Sequence, residues 1–554
     1  MTRPSLASAL LVLCIGWCAL APYAAHAAPA LRQDKPSTDL GTNSASKGPP
    51  NFIVIVGEGC GWSGTSVAMD EAHGDACAAE ALTPNLAKLA AEGQRASQFY
   101  ASSPRCTPSR ASLFTGVSPA VLRMTYVNEG GSERRGAEAE APPTTKLIAP
   151  NPSMELPADV KTIAQWLKPV GYASAHFGKW HVGRSAPSKV GFDIDDGANT
   201  NSGPGRNAQP NPEEGISITD RGIAFMEAQV KAKKPFYLHM SHYGGGTEEE
   251  VTPESMELVS KLQGERARSS RGKELYLKGV VADVDKQIGR VLAKLEELGI
   301  AGNTYVMFTT DHGTQGHNAN PPLSGGKGSL KEGGVRVPFV VRGPGIAAGS
   351  TTNVRGISWD LVPTFLELAK VDAKDRGKIE GGSLVPVWSG AKDAKVTRPR
   401  EEVVLHFPHY DLDNGGPASA IYSGTHKLFR SYETGKDSLY DLSSDLAEAR
   451  DLAASEDEAT RKLALELAKK LDEYLKAVGA QMPRANEAWD PAAPAPERRG
   501  RREGGGGGQG GGQGRGREGR RGGDAGQGGT STGGTSTGGT NAGGDAQGGA
   551  SQDG

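Results

Sequence analysis

The stretch Asn51-Phe52-Ile53-Val54-Ile55-Val56 is followed directly by Gly57 and Glu58. Residues 52–56 are all apolar and mostly β-branched, with no polar residue in alternation. An unbroken run of this kind is typical of a central strand that is buried on both faces of a parallel sheet. Because ligands of open α/β sheets bind beyond the carboxyl ends of such strands, Glu58 lies where a functional site is expected. The stretch therefore predicts an α/β fold.

Further segments extend this sheet and cover it. Residues 234–241 and 304–310 are largely apolar runs that predict two more strands. Residues 276–298 carry apolar side chains at helical spacing and predict an amphipathic helix that packs on the sheet. We expect its charged residues, such as Asp283 and Asp285, to face solvent rather than to form a site. The predicted apolar face consists of Val280, Val284, Ile288, Val291 and Leu295.

The segment Cys106-Thr107-Pro108-Ser109-Arg110 predicts a short helix that begins near Cys106. Pro108 is tolerated in a first helical turn, and Gly116 is a typical residue after a helix end. Residues four apart share a helix face, so the Cys106 sulfur and the Arg110 guanidinium face the same space. The helix N-terminus favours an anion there. The segment therefore brings together a potential nucleophile and an oxyanion binder, although an unreactive buried cysteine is the commoner role of a lone Cys.

Three other segments carry side chains suited to an oxyanion or a cation. Residues 178–183 (GKWHVG) contain Lys179 and His181, and the predicted strand 304–310 leads to Asp311 and His312. Lys327 lies in a glycine-rich run, which lacks the G-x-x-x-x-G-K-[ST] spacing of a nucleotide-binding loop. Cations of this kind offset negative charge on a reacting oxyanion.

Taken together, these segments resemble the type I, formylglycine-dependent sulfatases of the alkaline-phosphatase superfamily. The similarity covers C-x-P-S-R at 106–110, L-x-T-G at 113–116, G-K-W-H-x-G at 178–183 and G-G-K-G…E-G-G-x-R-V-P at 325–338. The resemblance implies an α/β fold, namely an alkaline-phosphatase-like α/β/α sandwich with a smaller C-terminal α+β subdomain.

In that family the cysteine is oxidised to formylglycine, whose hydrated gem-diol attacks sulfur and then expels sulfate by collapsing. The resemblance therefore implies that a formylglycine-generating maturation enzyme is a partner of this chain. Arg110, Lys179 and Lys327 would hold the sulfate group, and His181 would serve the leaving group. The implied catalytic residues are Cys106, Arg110, Lys179 and His181.

The resemblance also implies a divalent cation on Glu58, Cys106, Asp311 and His312. We expect Ca²⁺ first, while Mg²⁺ and Mn²⁺ remain open because the His312 nitrogen is softer than the oxygen ligands that Ca²⁺ prefers. The family's opening strand delivers two adjacent aspartates, but this chain has Glu58 and Gly59 there. One carboxylate is therefore lost and the other is a methylene longer.

A second departure concerns substrate binding. The family usually places a further substrate-contacting histidine after the strand predicted at 234–241, and that position is Gly246 in this chain. His242 is the nearest residue that can replace it. We therefore predict Lys327 and His242 as substrate-binding residues.

Residues 1–27 are typical of a secretory signal peptide, with Arg3, an apolar stretch over 6–20 and a small-x-small cleavage site at 25–27. We then expect a flexible leader at 28–48, a catalytic domain at 49–374, and a C-terminal subdomain with a small antiparallel sheet and a closing helix at 375–485. Residues 486–554 predict a disordered Gly-rich tail. The protein is thus predicted to be secreted or periplasmic, without a membrane span. The sequence does not decide whether Cys60 and Cys77 form a disulfide.

The formal net charge of −2 gives no reason to expect a nucleic-acid partner.

The sequence is compatible with three functions. The leading hypothesis is an exported sulfatase that hydrolyses a sulfate monoester on a sulfated carbohydrate. The alternative is a phosphate or phosphonate ester hydrolase with the same nucleophile, suggested by Asp311-His312. The third is a non-catalytic glycan-binding relative, suggested by Gly59 and Gly246.

Overall fold

The structure is a computed structural model that describes residues 48–493, apart from 75, 79–82, 128–141, 204, 264–271, 316–319, 373–376 and 412–415. The predicted signal peptide, the leader up to residue 47 and the tail from residue 494 lie outside the described residues. The domain boundaries stay predictions.

The described strands and α-helices alternate over most of the chain. The strands are β1 (Asn51–Gly57), β2 (Gln94–Ala96), β3 (Phe99–Tyr100), β4 (Leu147–Ile148), β5 (Ala173–Gly178), β6 (Ile194–Asp195), β7 (Phe236–Ser241), β8 (Thr304–Thr310), β9 (Phe339–Arg342), β10 (Ser350–Thr352), β11 (Gly356–Ile357), β12 (Val403–Phe407), β13 (Ala418–Ser423), β14 (His426–Ser431), β15 (Lys436–Asp441) and β16 (Arg484–Ala485). The α-helices are α1 (Pro84–Ala91), α2 (Cys106–Thr115), α3 (Pro119–Leu122), α4 (Ile163–Leu167), α5 (Gly215–Ala232), α6 (Pro253–Gln263), α7 (Gly272–Glu297), α8 (Glu332–Val335), α9 (Leu361–Leu368), α10 (Val385–Trp388) and α11 (Glu458–Ala477).

The main sheet has eight strands in the order β10-β2-β9-β8-β1-β7-β5-β6. Strand β1 lies at its centre, pairs in parallel with β7 and β8, and is buried along its whole length. Strand β9 runs antiparallel to both of its neighbours, so the sheet is mixed. The α/β fold class and the buried central strand are therefore confirmed.

Helices cover both faces of this sheet. Successive side chains of a strand point to opposite faces, and in β1 Phe52, Val54 and Val56 enter one core while Ile53 and Ile55 enter the other. The first core includes residues of α2, α4 and α9, and the second includes residues of α1, α5 and α7. The result is the three-layer sandwich that the resemblance implies.

Helix α7 packs on the sheet through the predicted apolar face, but its acidic residues differ from expectation. Asp285 is buried, and its carboxylate accepts hydrogen bonds from the backbone N–H groups of Asn85 and Leu86 at 3.1 and 2.8 Å. Asp283 accepts in the same way from the backbone N–H of Thr252 at 2.9 Å. The prediction of a solvent-facing role was therefore wrong, because each carboxylate satisfies free N–H groups at the start of a neighbouring helix.

The C-terminal part forms a separate small sheet. Strands β12 to β15 make a four-stranded antiparallel sheet in chain order, and α11 packs against it through Leu467 and Leu471. The packed chain continues past residue 485, where the sequence predicts the tail to begin, because Asn486 donates to the carbonyl groups of Pro142 and Thr145. None of the described helices is both long and apolar enough to cross a membrane.

Candidate active site

The predicted site residues come from the carboxyl ends of neighbouring strands and from the start of α2. Glu58 follows β1, Lys179 follows β5, and Asp311 and His312 follow β8. Because β5, β7, β1 and β8 are parallel neighbours, these chain ends meet at one edge of the sheet. Cys106, at the first position of α2, faces the same edge.

Helix α2 begins at Cys106 and ends before Gly116, as predicted, and every residue in it is buried. Gly116 has φ +73°, a left-handed conformation that glycine adopts without strain. One turn after Cys106, the Arg110 side chain donates from Nε to Asp311 Oδ2 at 2.9 Å and from Nη1 to the Lys179 carbonyl at 2.7 Å. Nη1 also donates to Ser241 Oγ, so Arg110 links three strand ends to the helix.

The Cys106 sulfur lies at the centre of a compact polar cluster. Its Sγ atom is 3.2 Å from His312 Nε2, 3.5 Å from Glu58 Oε1 and 3.5 Å from Lys179 Nζ. One donor atom from each of Glu58, Cys106, Asp311 and His312 lies within 4.8 Å of the others. The four residues predicted as metal ligands are therefore brought together.

The cluster also fits a cation on electrostatic grounds. Asp311 is buried, and its Oδ1 atom has no hydrogen-bond partner among the described residues. Leaving a buried carboxylate oxygen without a donor is costly, and a bound cation would satisfy it. The donor set of two carboxylates, an imidazole and a sulfur thus suits a divalent ion.

Two lysines compensate the negative charge of the cluster. Lys179 Nζ is 2.6 Å and Lys327 Nζ is 3.9 Å from Glu58 Oε1. Burial opposes the charged form of Glu58, but these two lysines hold the pKa of its carboxyl well below the usual range. Burial likewise opposes ionisation of the Cys106 thiol, and the same lysines bring its pKa well below the ordinary thiol value. The site is therefore arranged to stabilise a negative charge at residue 106.

His181 is buried beside Lys179 and has a left-handed backbone with φ +50°. Neither of its ring nitrogens has a hydrogen-bond partner in the described part of the chain. Burial is the largest influence on its pKa and lowers it. A strained residue whose buried ring nitrogens have no partner among the described residues is suited to contact with a ligand.

Two residues that the sequence did not single out hold this segment in place. Asn199 accepts from the backbone N–H of Trp180 at 2.7 Å through its side chain and from that of His181 at 3.1 Å through its carbonyl. Asn201 Oδ1 accepts from Lys179 Nζ at 2.7 Å. Asparagines in a loop after a short strand are too common for sequence reasoning to have found them.

His242 follows β7, but its ring lies in different surroundings. It is buried and lines a small cavity of about 30 Å³ together with Glu213 and Glu250. Burial lowers its pKa to about 4. From the segment after β7, it is Gly244 that contacts the polar cluster around Cys106. Its backbone N–H donates to Glu58 Oε2 at 3.2 Å. The role of His242 in substrate binding stays a prediction.

The loop that carries Lys327 is anchored on the small C-terminal sheet. Lys427 in β14 is buried, and its Nζ lies 3.0 Å from Glu332 Oε1 and 2.9 Å from Glu448 Oε1. Glu448 also accepts from the backbone N–H of Glu332 at 2.7 Å. Arg336 donates to the Ser97 carbonyl and lies 3.7 Å from Glu332, so it supports this loop. These buried charges attach the segment that follows Lys327 to the C-terminal sheet.

The described thiols outside the site are not paired. Cys60 and Cys77 are both free, and burial raises the pKa of Cys60 to about 12. The disulfide that the sequence left open is therefore absent among the described residues.

A mixed α/β sandwich with a buried cysteine at a helix start and four possible cation ligands at the sheet edge is the arrangement expected of an ester hydrolase with an alkaline-phosphatase-like fold. A family model described as Sulfatase matches residues 50–371, and one described as N-sulphoglucosamine sulphohydrolase, C-terminal, matches residues 326–477. The chain belongs to the sulfatase family and is a sulfuric ester hydrolase.

Individual relatives agree with this assignment. N-acetylgalactosamine-6-sulfatase of Sus scrofa is 31% identical over 385 residues, which cover 63% of this chain and 67% of that protein. A protein named sulfatase from Formosa agariphila is 27% identical over 508 residues, covering 77% of this chain and 88% of the relative. The crystal structure of Ps i-CgsB in complex with k-i-k-neocarrahexaose shares the fold, with a TM-score of 0.62 at 21% identity, over 80% of this chain and 95% of that one.

Proposed function

We propose that this chain is an exported sulfatase that hydrolyses a sulfate monoester of a sulfated carbohydrate, with formylglycine formed from Cys106 as nucleophile. The observation that carries the proposal is the position of Cys106 Sγ, within 3.5 Å of Lys179 Nζ, Glu58 Oε1 and His312 Nε2. The carbohydrate class is supported by the relative named N-acetylgalactosamine-6-sulfatase and by the oligosaccharide in the Ps i-CgsB complex. The export segment at 1–27 supports a secreted or periplasmic location.

Residue 106 supplies the reacting group. Once oxidised and hydrated, it offers two hydroxyls, one to attack sulfur and one whose deprotonation expels sulfate. A divalent cation held by Glu58, Asp311, His312 and residue 106 would offset charge on the sulfate oxygens and favour the ionised hydroxyl. A formylglycine-generating enzyme is the partner that this chemistry requires.

The remaining residues bind and orient the ester. Lys179 and Lys327 place two positive charges beside residue 106 and would hold the sulfate oxygens. Three of the Arg110 contacts are made to the protein framework, and Nη2 is without a partner among the described residues, so that atom is left for substrate. His181 would donate a proton toward the leaving oxygen, since its imidazole is buried without a partner in the described chain.

The decisive test is the mass of the tryptic peptide 106–110 from protein produced with a maturation enzyme. We expect a loss of about 18 Da relative to the thiol form, as conversion of Cys to formylglycine requires. A persistent thiol in the presence of the maturation enzyme would contradict the proposal.

A second candidate function rests on His312. The Asp311-His312 pair, in which His312 offers a nitrogen to the metal, suggests a phosphate or phosphonate ester hydrolase with the same nucleophile. Comparing kcat/KM for an aryl sulfate, an aryl phosphate and an aryl phosphonate on the converted enzyme separates the two, and we expect the sulfate to be preferred. Any metal-dependent turnover excludes the third candidate, a non-catalytic glycan-binding relative.

A further inference from the structure

The donor atoms at the site are few and chemically mixed. They comprise an oxygen from Glu58, an oxygen from Asp311, the Nε2 atom of His312 and, until Cys106 is converted to formylglycine, its sulfur. Calcium takes six to eight oxygen ligands, whereas zinc and its neighbours accept nitrogen and sulfur at lower coordination numbers. This donor set therefore differs from what Ca²⁺ requires.

The carboxylates of Glu58 and Asp311 have few oxygen atoms left that could bind a cation. Glu58 Oε2 accepts from the Gly244 N–H, and Asp311 Oδ2 accepts from Arg110 Nε. Each carboxylate is thus left with one oxygen toward the cluster, Glu58 Oε1 and Asp311 Oδ1. Among the described residues the site thus offers two such oxygens, well short of the number that Ca²⁺ needs.

The imidazole of His312 lies beside the position where a second acidic side chain is missing. Gly59 has φ +64°, and a Cβ atom built there would lie 3.7 Å from His312 Cε1. The left-handed backbone disfavours any side chain at residue 59. The ring of His312 therefore occupies the neighbourhood that a carboxylate at residue 59 would enter, and it contributes a nitrogen in place of an oxygen.

His312 is oriented as a ligand. Its Nδ1 atom is 2.9 Å from the Gly313 carbonyl, which only accepts, so Nδ1 carries the proton. The nitrogen that remains available as a ligand is Nε2, which is 3.2 Å from Cys106 Sγ and 3.5 Å from Asp311 Oδ1. A backbone carbonyl that holds the far nitrogen in this way is the usual support of a metal-binding histidine.

We propose that this site selects a transition ion of the Zn²⁺ class over Ca²⁺, and that His312 is the ligand that sets the choice. The inference deepens the proposed function, since it concerns the same site, but it rests on the donor atoms and not on turnover. It replaces the Ca²⁺ expectation that came from the family resemblance.

The first experiment measures Zn²⁺ and Ca²⁺ affinity of metal-stripped full-length protein by isothermal titration, before and after conversion of Cys106 and with any affinity tag removed. We expect Zn²⁺ to bind at least about 100-fold more tightly than Ca²⁺. His312→Asn should reduce that ratio by about 10-fold or more, chiefly by weakening Zn²⁺ binding. His73→Asn, at a partly exposed histidine that pairs with Asp70 and is not one of the four cluster residues, is the matched control and should leave the ratio unchanged. Equal affinity for the two ions, or an unchanged ratio in His312→Asn, would overturn the inference.

A second experiment reports the ligands directly. Co²⁺ added to the unconverted protein should give visible bands of a low-coordinate site together with a sulfur-to-metal charge-transfer band. Cys106→Ser should remove the charge-transfer band, and His312→Asn should change the visible bands. Spectra typical of all-oxygen, six-coordinate Co²⁺ in the unconverted protein would overturn the inference. Turnover of an aryl sulfate by an enzyme that prefers Ca²⁺ would overturn the inference about the metal and leave the proposed function standing. Zn²⁺ selectivity without sulfate turnover would support the inference about the metal and contradict the proposed function.

Discussion

At the scale of single residues, the site depends on how positive charge is placed around residue 106. Lys179 is fully buried and contacts Glu58 and Cys106, while its ammonium is held by Asn201. Burial makes this charge effective, because little water is present to screen it.

We expect Lys179→Ala to lower kcat/KM for an aryl sulfate by about 100- to 1,000-fold, since a buried charge next to the reacting group is lost. Lys168→Ala is the matched control, because Lys168 is largely exposed and pairs with Asp193 at the surface. Steady-state kinetics on converted enzyme measures both variants. Equal activity of the two variants would contradict the assigned role of Lys179.

The role of His181 is tested through the leaving group. His181→Ala should lower kcat by about 100-fold or more for an alkyl or sugar sulfate, whose leaving oxygen needs a proton. The loss should be much smaller for a nitrophenyl sulfate, whose leaving group departs without one. Measuring both substrates on the same preparation controls for folding. A loss of the same size for both would mean that His181 only shapes the site.

At the scale of elements, the sequence predicts where the strands end, but it does not predict which side chains contact a neighbouring helix. The runs at 51–56 and 304–310 identify strands from local pattern alone, and parallel pairing then brings Glu58, Asp311 and His312 to one edge. The role of Asp285 could not be predicted from local pattern, because the periodicity of α7 does not show that the start of α1 packs beside this residue. Asn201 was missed for the same reason, since its partner Lys179 lies 22 positions away in another loop.

Asp285 provides the prediction at this scale. Asp285→Ala should lower the free energy of unfolding by about 2 kcal/mol, because the N–H groups of Asn85 and Leu86 at the start of α1 lose their acceptor. Asp220→Ala, at a more exposed carboxylate paired with Arg290, should change it by less than about 0.5 kcal/mol. Urea unfolding followed by circular dichroism measures both. Equal effects would mean that the cap contributes nothing.

At the scale of the whole molecule, several histidines are buried in neutral form. Burial lowers the pKa of His176 and His409 to about 3 and of His242 and His406 to about 4, and it brings that of His239 well below the usual value. Below the ordinary value of about 6.5, the unfolded chain binds protons that the folded chain does not. Stability is therefore complete above that pH and falls as the pH drops toward 4.

We expect each such histidine to cost about 2 kcal/mol of stability at pH 5 relative to pH 7. Urea unfolding at pH 7, 6 and 5 measures the loss, and Glu213, whose pKa burial raises to about 7, contributes with the opposite sign in the same window. His406→Gln retains a hydrogen-bonding side chain toward Ser419 but does not titrate, so it should show a smaller loss over this range. Stability that is constant from pH 7 to pH 5 would contradict the prediction.

The buried contact of Lys427 with Glu332 and Glu448 has a consequence for how such proteins diversify. A recombination event between the two parts of the chain would pair a loop carrying Lys327 with a foreign sheet. If that sheet lacked the lysine, the buried Glu332 would keep Arg336, 3.7 Å away, as its counter-charge among the described residues, and the loss of a buried ion-pair partner costs about 3–5 kcal/mol. Chimeras within this family are therefore expected to succeed only when the three charged residues are inherited as a set.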